Sequence, residues 1–131
     1  MDTEGKVAYW MDIANYDIAT ARAMLSSGRY LYAAFMSQQA LEKILKAAFL
    51  ARGRGGEPPR THNLSFLVDQ LGLDEVPEGV ASLASRLSAY YIEARYPNYK
   101  EKLSALVDEA EAKSIVRDTE EALFWVQSIL D

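Results

Sequence analysis

Tyr30-Leu31-Tyr32-Ala33-Ala34-Phe35-Met36-Ser37-Gln38-Gln39-Ala40-Leu41-Glu42-Lys43-Ile44-Leu45-Lys46-Ala47 is the stretch that decides the fold. It contains no Gly or Pro and is dominated by residues that lose little freedom in a helix. Leu31, Ala34, Gln38, Leu41, Leu45 and Ala48 recur three and four apart, which predicts a helix from about Tyr30 to Arg52 with these residues as its core stripe. Phe35, Ala40, Ile44, Ala47 and Phe49 extend the apolar surface around the same helix and leave only a narrow polar strip of Gln39, Glu42, Lys43 and Lys46. A helix that is apolar around most of its circumference is expected at the centre of a bundle, with neighbours on several sides.

Upstream, Trp10, Ile13, Ala14, Ala21, Met24 and Leu25 predict a first helix from about Val7 to Ser26, with Asp17 set inside the apolar pattern. Ser27-Gly28 ends it, because Gly readily takes the left-handed conformation that closes a helix. The short connection implies that these two helices are antiparallel. Downstream, the segment 53–60 holds three glycines and two prolines and reads as a solvated loop. Thr61-His62-Asn63 then offers capping side chains to a short helix that starts near Asn63, carries Leu64, Phe66, Leu67, Val68 and Leu71, and stops at Gly72. Val80, Leu83, Ala84, Leu87, Tyr91 and Ala94 predict a fourth helix from Glu78 to the break at Pro97. Val116, Thr119, Leu123, Val126 and Leu130 predict a closing helix that starts as early as Asp108. No segment alternates with period two over the length of a strand, and there is no internal repeat. The expectation is all-α: an up-and-down bundle of four long helices plus one short helix, forming one domain over residues 1–131.

Composition narrows the function. A net charge of −5 over 131 residues argues against coating nucleic acid by bulk electrostatics, which needs clustered Lys and Arg. With no Cys and one His, neither a thiolate nor a His-rich metal centre can be built, so no metal and no cofactor are expected. The polar N-terminal residues do not read as a secretory signal, and no apolar run reaches the roughly 18 residues of a membrane span. The expected location is the cytoplasm, with no membrane partner.

The stretch from Tyr30 to Ala47 resembles the signature helix of the HEPN family, the higher eukaryotes and prokaryotes nucleotide-binding domain, in its small prokaryotic stand-alone form. The resemblance extends to Ala14-Asn15-Tyr16-Asp17 before it, and to Thr61-His62-Asn63-Leu64-Ser65-Phe66-Leu67 and Arg95-Tyr96-Pro97 after it, in the family's order and spacing. It implies a five-helix bundle that forms a homodimer and is often paired with a minimal nucleotidyltransferase in a two-component, toxin–antitoxin-like module. Many members are ribonucleases whose motif is an Arg followed four to six residues later by a His. Here Arg95 takes the place of that Arg, but Tyr96-Pro97-Asn98-Tyr99-Lys100-Glu101 follows it and supplies no His. The sequence therefore leaves open whether the chain is an enzyme.

The candidate residues carry paired readings. Arg95 either complements the dipole at the end of the fourth helix or binds phosphate through its guanidinium, with Tyr96, Tyr99 and Lys100 adding stacking and charge. His62 is either a brace at a helix start or a general base, and no neighbouring nucleophile in sequence completes a catalytic set. Asp17, Glu42 and Lys43 read as supporting polar groups. An ion pair from Asp17 to Lys43 or Arg95 is expected over a catalytic acid, since an unpaired buried charge is costly. The eight tyrosines exceed what a bundle core needs, and some are expected at an interface. Arg52-Gly53-Arg54-Gly55-Gly56 only superficially resembles a phosphate-cradling loop, because no strand precedes it and no Gly-Lys-Ser follows. Three functions fit these readings: a module that binds nucleotide or RNA or partners a nucleotidyltransferase, a metal-independent ribonuclease with a divergent site, and a non-catalytic oligomerisation scaffold.

Overall fold

Asp2 opens the first helix: its carboxylate accepts the Gly5 amide hydrogen at 2.7 Å. The cap carries α1 (Thr3–Ser26) one turn further toward the N-terminus than the apolar spacing from Val7 predicts. The structure is a computed structural model that describes residues 2–94, 105 and 107–130. At the other end of α1, Gly28 takes φ 76° and the amides of Arg29 and Gly28 return to the carbonyls of Met24 (2.8 Å) and Leu25 (3.1 Å). That paired closure reverses the chain directly into α2 (Tyr30–Ala51), so α1 and α2 form an antiparallel hairpin.

The second helix ends by the same device at Gly53, with the Arg54 amide reaching the Phe49 carbonyl at 3.3 Å. Beyond the loop, Asn63 caps α3 (Leu64–Asp69) by accepting the Phe66 amide hydrogen at 3.0 Å. Next come α4 (Glu78–Ala94) and α5 (Glu109–Leu130), the latter opened by the Asp108 carboxylate on the Glu111 amide at 2.8 Å. The described residues are helical or irregular, and none forms a strand.

The hub is α2, which packs against all four other helices, most extensively against α1. The whole expected core stripe of Leu31, Ala34, Gln38, Leu41, Leu45 and Ala48 is buried. Ala14 and Ala21 of α1 and Ala33, Ala34 and Ala40 of α2 have no exposed surface, and side chains this small let two helices approach closely. Ile18, Leu67, Leu87, Ile115 and Val126 bring the remaining walls of the same core from the other helices. Burying each such large side chain contributes about 1.5–3 kcal/mol.

Polar ties join the helices at the rim. Arg22 of α1 meets Glu120 of α5 at 2.9 Å, the Tyr30 hydroxyl donates to Glu109 at 2.9 Å, and the Leu64 amide donates to Ser88 Oγ of α4 at 3.0 Å. No described helix is long and apolar enough to cross a membrane.

Candidate functional site

The polar strip of α2 does not face solvent along its length. Glu42, near the middle of the helix, is only 2% exposed. Its carboxylate is answered from three directions: Oε1 accepts from His62 Nδ1 at 2.8 Å and from Gln38 Nε2 at 3.2 Å, and Oε2 accepts from Lys46 Nζ at 3.1 Å. Burial by itself pushes the Glu42 carboxyl up, but the His62 hydrogen bond, the Lys46 charge and the Gln38 and Lys46 hydrogen bonds outweigh it and hold the group below the usual carboxylate range. An ionised carboxylate can only accept, so His62 carries its hydrogen on Nδ1.

Gln38 shows why this cluster is a structural joint. Its amide nitrogen uses its two hydrogens on the Glu42 carboxylate and on the His62 backbone carbonyl (3.3 Å), and its oxygen accepts from Gln39 Nε2 at 2.7 Å. Side chain and main chain of His62 are thus both fastened to α2. The step 61–63 is held against the central helix just before Asn63 caps α3.

The network continues toward α1. Lys43 donates to Gln39 Oε1 at 2.8 Å and stands 3.9 Å from Asp17 Oδ2, the ion pair expected for that carboxylate. Burial raises the Asp17 pKa; the Lys43 charge opposes this and the Glu42 charge adds to it. The Lys46 ammonium lies 5.6 Å from the centre of the Trp10 ring, a cation–π position, and the Tyr9 ring stands edge-on to Trp10. Two carboxylates and two ammonium groups balance across the cluster. No buried polar side-chain atom among the described residues lacks a hydrogen-bond partner.

Four expected site residues, Arg95, Tyr96, Tyr99 and Lys100, lie outside the described residues. The other four, Asp17, Glu42, Lys43 and His62, come together as the network just given. Sequence reasoning did not find Gln38, Gln39, Lys46 and Trp10 as its other members. A signal existed for Gln38, an amide inside a stripe of Leu and Ala, since such a group must find buried partners. The arginines of the glycine-rich loop serve the fold: Arg52 and Arg54 donate through Nε to the carbonyls of Leu71 (3.0 Å) and Gln70 (2.9 Å), just past the end of α3. There they answer carbonyls that α3 leaves unpaired. Gly72 beside them takes φ 64°, the left-handed region that favours glycine, and a Cβ there would displace the Arg54 guanidinium. Among the described residues no group of three or more His, Asp or Glu could hold a metal ion.

Comparison with known proteins agrees with the bundle and its signature helix. The crystal structure of TT1696 from Thermus thermophilus superposes with a TM-score of 0.81 at 28% identity, covering 94% of this chain and 97% of that one. The crystal structure of ST0689, an archaeal HEPN homologue, gives a TM-score of 0.75 at 27% identity, covering 95% and 98%. No curated protein sequence matches. The HEPN domain family matches over residues 7–129, nearly the full length, and the chain therefore belongs to the HEPN domain family.

Proposed function

We propose that the chain is a dimeric, cytoplasmic HEPN module that binds nucleotide or RNA and partners a minimal nucleotidyltransferase in a two-component, toxin–antitoxin-like system. Arg95 is the phosphate contact in this reading, and Tyr96, Tyr99 and Lys100 add stacking and charge around it. The observation that supports a binding role over nuclease action is that the only histidine, His62, precedes Arg95 and none follows it. His62 is tied through Nδ1 to buried Glu42, and its carbonyl is tied to Gln38. It acts as a brace between α2 and the start of α3, and the motif that gives other HEPN proteins their base has no His after Arg95 in this chain.

Losing one charge-assisted contact to phosphate removes about 1.5–3 kcal/mol, which is roughly tenfold to a hundredfold in affinity. Arg95→Ala is therefore expected to weaken ATP or RNA binding by at least about tenfold in calorimetric titration, with the helical circular dichroism unchanged. Unchanged affinity would remove Arg95 from the site. Co-purification with the nucleotidyltransferase encoded by a neighbouring gene checks the partnership.

A further inference from the structure

The glycine-rich loop after α2 carries charge that the fold does not use. Arg52 and Arg54 each spend their single Nε hydrogen on a carbonyl, that of Leu71 and that of Gln70. Their terminal nitrogens make no hydrogen bond or ion pair among the described residues. Because the two carbonyls belong to consecutive residues, the guanidinium groups are anchored at neighbouring points with their forks unspent. Arg60, at the far end of the loop, is exposed, and its side chain has no partner among the described residues. Glu57, the one carboxylate of the loop, is taken by Lys6 of α1.

Elsewhere the described cations are paired. Every described lysine meets a carboxylate, as do Arg22, Arg86 and Arg117. The exceptions are Arg29 at the start of α2 and the three arginines between positions 52 and 60. On a chain of net charge −5, unpaired positive charge is thus gathered in one loop. The loop is also open, since a Cβ at Gly53, Gly55 or Gly56 would meet nothing within 4 Å. It offers no apolar anchor: Pro58 is buried, Pro59 is half-buried, and no aromatic residue lies between 52 and 60.

We propose that Arg52, Arg54 and Arg60 bind the phosphodiester backbone of RNA, as a contact surface additional to Arg95. The inference rests on the reading that the chain binds nucleotide or RNA, and it commits that reading to RNA, because the loop offers charge to a backbone and no ring to hold a base. Guanidinium forks match phosphate oxygens bidentately. With no side chain placed to stack on a base, the contact positions the strand and is independent of its sequence. A protein partner suits the loop less well, since protein interfaces are built around a buried apolar core and the loop has none to give.

The test measures binding of a labelled single-stranded oligo-uridylate by fluorescence anisotropy, and of ATP by calorimetry, on the full chain and its variants. Arg52→Gln, Arg54→Gln and Arg60→Gln combined are expected to weaken oligo-uridylate binding by at least about tenfold and to lower the slope of log affinity against log salt by about 2, with ATP affinity unchanged. The Arg60 side chain holds no part of the described fold, so Arg60→Gln alone leaves the fold intact and is expected to weaken oligo-uridylate binding about two- to fivefold. Arg29→Gln, an equal charge change about 33 Å away at the other end of α2, is expected to alter nothing. The proposal is overturned by equal loss in Arg29→Gln and Arg60→Gln, or by polyglutamate binding as tightly as RNA. If Arg95→Ala abolishes oligo-uridylate binding and the triple variant keeps the parent's affinity, the loop assignment fails and the proposed function stands. If the parent binds ATP but no oligo-uridylate, the loop assignment fails and the nucleotide reading stands; if it binds neither, both fail.

Discussion

Glu42→Ala lowers the unfolding free energy by about 3–5 kcal/mol, because it removes one member of a buried charged pair and strands the other. Lys46 is 8% exposed and is held by the Glu42 carboxylate, with the Trp10 ring as its second support. The same substitution frees the imidazole of His62 and one hydrogen of Gln38, so two further groups lose this acceptor. Urea denaturation measures the loss. Replacing both Glu42 and Lys46 by Met tests the cause, since a buried pair exchanged for apolar residues of similar volume is often neutral in stability. Most of the loss is expected to return in the double variant.

Acid provides a second reading of the same carboxylate. The Glu42 pKa is lowered on folding from its ordinary 4.5, so its contribution is fully present above that value and is lost as the pH falls through the folded-state pKa. The Asp17 pKa is raised from 3.8, and its contribution has the opposite sign: it is present at low pH and lost as the pH rises through the raised value. Stability should therefore fall below about pH 4.5, with Asp17 offsetting part of the drop. Glu42→Gln should flatten this acid limb, and an unchanged limb would assign the acid sensitivity to other carboxylates.

Leu45→Ala is expected to cost about 2–5 kcal/mol, through lost apolar transfer and the cavity left behind. Leu45 has no exposed surface and lies in the helix that touches every other one. The position adjoins Lys46 in sequence but belongs to the apolar stripe. This variant should melt earlier while keeping, below its transition, the ligand affinity of the parent. Thermal unfolding and a binding titration on one preparation separate scaffold from site.

These expectations depend on features that the sequence displays unevenly. The stripe from Leu31 to Ala48 is legible because helical periodicity reports directly which side of α2 is covered, and the family resemblance rests on the same helix. The start of α1 falls a turn earlier than the apolar period indicates, since a cap such as Asp2 acts through one backbone hydrogen bond and leaves no period to read. Glu42 and Lys46 belong to a polar strip, as their spacing says, yet periodicity cannot say that Trp10 and the step at His62 will cover that strip. Burial of the strip depends on contacts between residues distant in the chain. The bracing reading of His62 follows from its setting between Thr61 and Asn63, but its partner does not. Asn63 takes the cap of α3, and the imidazole turns toward α2 instead.

The distinction between a binding module and a nuclease is tested most directly by incubating end-labelled single-stranded RNA, without added metal, with the parent chain, His62→Ala and Arg95→Ala. The proposed function predicts that RNA stays intact in all three, that Arg95→Ala loses binding by at least about tenfold, and that His62→Ala loses stability but keeps affinity. RNA cleavage by the parent chain that disappears in His62→Ala, with the fold still intact, would contradict it.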